Sequence, residues 1–419
     1  MISILILIIE IITMSTIADK STLDLFAPIL IFIFSIGYLV DASKNKNGFA
    51  RKALMAGYIL RIALIFLDLY GGSIISLPNS GADSEWFYQM GLRYSIRSFS
   101  TSEYFIALTG YLIRIVGDSR LFIQFLVMLF SVVSLHMVVG CVAMMDIEDE
   151  IKGHAVLVMA LLPNYAILSS IFLRESIVSM FISISLYFFI GWFMNRNNYG
   201  FYLSFLFVAL AALFHSGSIG VGIGFLIVRI LYDREKDEMR VAAHNIISTI
   251  LVVVLASYIL TRSGDVILRK LSDVSSIQDI ANVRGSSGAS YARYVGNSNN
   301  VGNFILYSPL RLVFFLFSPF PWQIRGISDI IAILFNSLFY LYTTVKAIQC
   351  LRRKYRDRIS DKNRHMIVSL LIICGITAFI FAWGVSNTGT AIRHRDKMVA
   401  ANILLLALVG GLPFRIKVK

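Results

Sequence analysis

Four short segments of this 419-residue chain combine residue types that could bind or activate a polar substrate. In Ser80-Gly81-Ala82-Asp83-Ser84-Glu85-Trp86-Phe87-Tyr88, two acids follow a Pro78–Gly81 turn and open an amphipathic helical pattern. Either acid could simply serve the helix start, as a cap or first-turn carboxylate. A carboxylate there could also take the proton from a hydroxyl as a general base; Asp83 is the leading candidate, ahead of Glu85, with Asp68 nearby as an alternative. Phe172-Leu173-Arg174-Glu175-Ser176 is a tight charged turn between two apolar segments. Its pair could merely satisfy itself, but ionisable groups held close to apolar depth are costly and so are functional candidates. His215-Ser216-Gly217-Ser218 offers either a helix-end cap or a third candidate base. Asn387-Thr388-Gly389-Thr390-Ala391-Ile392-Arg393-His394-Arg395-Asp396-Lys397 places Arg393, Arg395 and Lys397, with His394 among them, within one or two helical turns. The glycine ahead of that helix start could also turn backbone N–H groups toward an anion. Arginine grips phosphate or carboxylate with two parallel donors, so Arg174, Arg393, His394 and Arg395 are expected to hold a diphosphate. Arg284, Arg293 and Arg311 are secondary candidates of the same kind. Asp83, Glu175 and His215 are the candidate catalytic bases. No spacing of His, Cys, Asp or Glu resembles a metal site.

The elements that must position these residues are apolar helices. The chain is 57% hydrophobic, and its 38 Lys/Arg and 25 Asp/Glu make only 63 charged residues, where a soluble chain of this length would carry roughly 100. The apolar residues fall into blocks long enough to approach a membrane span, separated by short polar stretches. This excludes a soluble enzyme, a nucleic-acid binder and a disordered scaffold. An all-α polytopic membrane protein is expected, one integral domain over 1–419. Its twelve spans are 2–17, 25–40, 53–70, 121–143, 154–171, 176–194, 201–215, 217–231, 241–261, 328–345, 366–384 and 398–414. The first block lacks a basic leader and contains Glu10, so a short span is preferred to a signal peptide. Segments 71–120 and 262–327 are long loops; the first has amphipathic stretches suited to an interface. The aromatic run 304–322 is broken by Pro309, Arg311, Pro319 and Pro321, and is expected to form a re-entrant or interfacial hairpin. Cys141, Cys350 and Cys374 have neither metal-ligand spacing nor an external position, and are expected to be free thiols.

Lys and Arg set the orientation. Threading twelve spans puts the basic blocks 44–52, 346–364 and 415–419 on one side, which is then cytoplasmic, with both termini inside. The cytoplasmic segments hold 20 basic residues, split equally between Lys and Arg; the external segments hold 16, of which 13 are Arg. Topology does not distinguish the two residue types, so the external excess of arginine points to an anionic substrate handled on that face. Trp86, Tyr88, Tyr291 and Tyr294 could stack on sugars there, or act as membrane anchors.

The acidic motif after an early span, the Leu-Arg-Glu-Ser turn, the large loop with scattered arginines and the late Gly-Thr-Ala-Ile-Arg-His-Arg segment together resemble a bacterial Wzy-type polysaccharide repeat-unit polymerase. Such polymerases of O-antigen or capsule are grouped with the GT-C-type membrane glycosyltransferases. The resemblance covers the overall layout, with motifs over about a tenth of the chain; the large loop is modest and its arginine spacing reproduces no fixed motif. It implies transfer of a growing glycan from undecaprenyl diphosphate onto an incoming lipid-linked repeat unit, at the external face of the bacterial cytoplasmic membrane. It further implies no metal or other cofactor, no nucleic acid, and the company of a flippase and a chain-length regulator. A lipid-linked glycan ligase or simpler transferase would share donor and leaving group. A flippase-type transporter would instead need ionisable residues at mid-span and repeated halves, and the sequence has few of the former and no visible repeat. A non-catalytic assembly subunit would need none of the external arginines.

Overall fold

The computed structural model describes residues 2–17, 22–195, 197–241, 245–247, 249–250, 291, 301–352 and 359–410. Arg284, Arg293 and Tyr294, and most of the expected span 241–261, lie outside these residues. The helices are α1 (Ile2–Thr16), α2 (Leu23–Ser43), α3 (Arg51–Tyr70), α4 (Ala82–Ile96), α5 (Tyr104–Val116), α6 (Arg120–Ala143), α7 (Asp149–Leu161), α8 (Pro163–Ser170), α9 (Glu175–Asn195), α10 (Asn198–Phe214) and α11 (Ile219–Leu231). They continue with α12 (Val301–Phe317), α13 (Ile327–Ala332), α14 (Leu338–Cys350), α15 (Asp361–Trp383), α16 (Thr388–Asp396) and α17 (Val399–Gly410). The strand content among the described residues is one short hairpin, Tyr232–Asp233 with Glu238–Met239.

Six of these segments are long and apolar enough to cross a membrane: Leu23–Ser43, Gly48–Tyr70, Arg120–Ala143, Glu175–Asn195, Ile327–Cys350 and Asp361–Trp383. Helices α7 and α8 would make a seventh, bent by 52°. The chain is therefore a predominantly helical membrane protein. The remaining expected spans within the described residues coincide with shorter apolar helices, such as α1, α10 and α17. The run expected to form a hairpin is instead one helix, α12, followed by a Pro321–Gln323 turn that leads into α13. The three cysteines are free, as expected.

Close packing rests on small residues. A side chain on Gly220 or Gly224 of α11 would meet the backbone of Thr377 or Ile373 of α15 at 2.9 and 2.8 Å, the close approach that a small-xxx-small face permits between membrane helices. Gly57 of α3 meets Ala160 of α7 in the same way. The bend between α7 and α8 follows from Pro163, which holds the preceding Leu162 out of the helical region. That break orphans the Ala160 carbonyl, and Arg61 supplies the missing donor. Its guanidinium is buried and bonds Ala160 O (2.9 Å), Gly57 O (2.9 Å), Ser131 Oγ (3.0 Å) and Ser169 Oγ (2.9 Å), and lies over the Tyr165 ring. Arg61 thus fastens a broken helix, and its charge faces the negative end of α7.

Helices α4 and α5 run side by side in the same direction, because Phe87 pairs with Phe105, Gly91 with Thr109 and Tyr94 with Tyr111. Their N-terminal ends, with Asp83, Glu85 and Glu103, therefore lie together. The same end of the bundle carries the 171–174 turn, His215 and α16. The opposite end carries the strand hairpin and the start of α15, where Asn363 bonds Asp146 O and Lys362 bonds Met194 O. Helix α17 is buried over most of its length and forms the central post beneath α16.

Candidate functional site

Glu175 is the first residue of α9 and is buried, so its carboxylate sits at the positive end of a helix. Arg393 approaches it from α16, with Nε and Nη2 at 3.2 and 3.1 Å from Oε1. The third arm of that guanidinium, Nη1, donates to Asp83 Oδ2 at 2.5 Å. Lys397, one helical turn beyond Arg393 and fully buried, brings its Nζ to 3.5 Å from the same Glu175 oxygen. Burial pulls the Lys397 ammonium down to about 8, while Glu175 opposes the shift. Arg174 points the other way from the 171–174 turn, to Glu103 Oε2 at 2.5 Å, and its guanidinium lies over the Phe87 ring. Asp83, Arg174, Glu175 and Arg393 therefore form one charged cluster, although up to 310 positions separate its members in the chain.

The two histidines join the cluster from behind. His215, in the break between α10 and α11, sets its ring 4.6 Å from that of His394, almost perpendicular to it. Phe381 packs against both. His394 Nδ1 lies 2.8 Å from the Thr390 carbonyl. A carbonyl can only accept, so Nδ1 carries the proton and Nε2 keeps its lone pair. Burial, followed by the Lys397 charge, holds both imidazoles well below the ordinary histidine range. They are neutral at physiological pH.

Other expected ligands lie elsewhere. Arg395 is fully buried and faces away from Arg393; its Nη atoms donate to Leu316 O (2.5 Å), Ser318 O (2.5 Å) and Ser337 Oγ (3.2 Å). Ser337 belongs to a π-helical turn, Ile333–Ser337, whose Asn336 also donates to Asp396 Oδ1 at 2.8 Å. Arg395 therefore fixes α16 to the bundle. Arg311 is buried under Trp383, 4.3 Å from its ring centroid. The backbone N–H groups of Gly389 and Thr390 are both taken by the Asn387 side chain, which caps α16; they are turned to the cap and not toward an anion. Glu85 pairs with Arg120 at 3.0 Å, apart from Glu175. Asp68 accepts from Gln124 at 2.8 Å. Among the aromatics, Trp86 is half exposed, whereas Tyr88 gives its hydroxyl to Asp118 and Tyr291 is buried on Val385 O.

Sequence reasoning missed Glu103 and Arg120. Glu103 ends a loop and is the N-cap residue of α5; nothing local connects it with Arg174. Arg120 opens a span and is held between the Tyr88 and Phe172 rings, 4.5 Å from each centroid. An arginine at the edge of an apolar block reads as a boundary marker. No family model, curated protein or solved structure matches this chain.

Proposed function

We propose that the protein is a membrane glycosyltransferase that polymerises polyprenyl-diphosphate-linked oligosaccharide repeat units at the external face of the bacterial cytoplasmic membrane. The observation that carries this proposal is Arg393, shared between Asp83 and Glu175, with Lys397 and Arg174 beside the same carboxylate. In that orientation both termini are cytoplasmic and the cluster faces outward. Cations held in a partly buried site stabilise charge far better than cations in water. A diphosphate leaving group develops that charge as its bond to the sugar breaks.

In this mechanism the acceptor hydroxyl attacks the anomeric carbon of the donor glycan. The bond from that carbon to the diphosphate oxygen breaks, and polyprenyl diphosphate leaves with the electron pair. Arg393, Lys397 and Arg174 take up the developing charge. The hydroxyl proton passes to a base, a role we assign to His394: its tautomer leaves the Nε2 lone pair to accept, and His215 is its neighbour. Glu175 is already engaged by two cations and Asp83 by one, so the oxygens that would receive the proton are occupied in ion pairs. This reassigns His394 from ligand to base.

Incubation of the nanodisc-embedded protein with its lipid-linked repeat unit tests the proposal. A ladder of products is expected, and it is lost in the His394→Ala variant. Transfer of a single unit would identify a ligase or simple transferase. Passage of intact substrate across liposomes would identify a transporter.

A further inference from the structure

The three cations around Glu175 are answered by acids that come from elsewhere. Arg174, Arg393 and Lys397 carry three positive charges, and Glu175 neutralises one of them. The two left over are met by Asp83 and Glu103, which stand at the starts of α4 and α5. The acids are the exposed partners: the side chains of Asp83 and Glu103 are 62% and 33% exposed, against 16% for Arg393 and 22% for Arg174. Each carboxylate thus lies on the solvent side of a more deeply held guanidinium. The two helices run in the same direction, so one structural unit delivers both acids to one place. Gly81, ahead of Asp83, has a φ of 114° that a residue with a side chain rarely adopts, which fixes how the chain turns into α4.

Resting on the proposed function, we infer that α4 and α5 form a charge-matched plug. Asp83 and Glu103 hold the place that a doubly charged diphosphate diester takes, and such a ligand enters by displacing both carboxylates. A diphosphate esterified at each end carries two negative charges, so the exchange leaves the site's net charge unchanged at membrane depth, where an uncompensated charge is most costly. The released acids gain water, which they already partly face. The same matching selects the ligand: a phosphate diester brings one charge and leaves one cation unanswered. Asp83 is then a gate and not the base, and its neutralisation has an effect of opposite sign to the loss of a ligand or catalyst.

Binding of symmetrical dibutyl diphosphate, with one butyl group on each phosphate, tests the inference in nanodiscs. The probe has no sugar, so its binding is independent of any transfer reaction, and the inference can fail while glycan transfer stands, or the reverse. Asp83→Asn and Glu103→Gln are each expected to tighten binding at least fivefold, and the double variant further. Dibutyl phosphate, with one charge, should gain about half as much on a logarithmic scale. Glu85→Gln serves as the control, because its pair with Arg120 lies outside the charge balance around Glu175; it should leave the affinity within twofold of wild type. Unchanged or weaker binding in the Asp83 and Glu103 variants would overturn the plug. So would an equal gain from Glu85→Gln, which would signify a general surface-charge effect.

Discussion

A helix turns about 100° per residue, so Arg393 and Arg395, two positions apart, leave α16 on nearly opposite sides, while Lys397 returns to the face of Arg393. The cationic segment is legible in the sequence, and its two faces follow from the spacing; which face meets Glu175 is not, because Glu175 is 218 positions away. Arg393 and Lys397 face Glu175; Arg395 binds two carbonyls and a hydroxyl. Hydrogen bonds from a charged group contribute about 1.5–3 kcal/mol each. Arg395→Ala is therefore expected to lower the unfolding midpoint in detergent by several degrees, with lost activity following from a displaced α16. Arg393→Lys should keep the midpoint and lose activity, since an ammonium cannot span Asp83 and Glu175. Comparison of thermal unfolding with transfer rate separates the two. The pH profile has a definite sign. Lys397 is charged below about 8, so diphosphate affinity should be flat from neutrality to that point and fall above it. The neutral histidines add no acid limb near neutrality. Lys397→Arg should extend the plateau to higher pH, as titration of dibutyl diphosphate affinity would reveal.

At the scale of elements, the site depends on irregularities in otherwise regular spans. Pro163 breaks the α7–α8 span, and the following 171–174 turn delivers Arg174 and Glu175 at a depth that a straight helix would not give them. Arg61 repairs the break. Arg61→Met is expected to destabilise by about 2 kcal/mol, the cost of leaving the Ala160 carbonyl buried without a partner; Arg61→Lys, with one donor centre in place of a fork, should recover only part of this. At the other side, Asn387→Ala removes the cap of α16. It should cost about 1 kcal/mol of stability and lower transfer more than that figure implies, because His394 and Arg393 ride on the same helix. Most helices were legible as uncharged apolar windows. The Arg174–Glu175 turn was legible too, as punctuation; the break at Pro163 was not, since the expected span 154–171 runs through it. The parallel run of α4 and α5 was not, since it depends on contacts such as Phe87–Phe105 and Gly91–Thr109 that local pattern does not encode.

For the whole molecule, charge separates two ends. Among the described residues, six helices meet the requirements of a span, with α7–α8 as a broken seventh, and one end gathers the acids and arginines of α4, α5, the 171–174 turn and α16. The basic surplus of the chain was visible at once; which arginines meet which acids was not, because partners such as Arg393 and Glu175 are 218 positions apart. The proposed orientation makes Ser100 external and Ser43 cytoplasmic. In whole cells, a membrane-impermeant maleimide should label Ser100→Cys and spare Ser43→Cys until the membrane is opened; the reverse pattern would place the cluster on the wrong face for an external donor. The central claim is that the cations around Glu175 stabilise a departing diphosphate. Its most direct measurement is the single-turnover rate of polyprenyl diphosphate release in nanodiscs, for wild type and for Arg393→Ala, after addition of the lipid-linked oligosaccharide. Loss of a preorganised donor to developing charge should slow release by at least about 100-fold, close to 3 kcal/mol of barrier, with the fold retained. Release at the wild-type rate from Arg393→Ala would contradict the account.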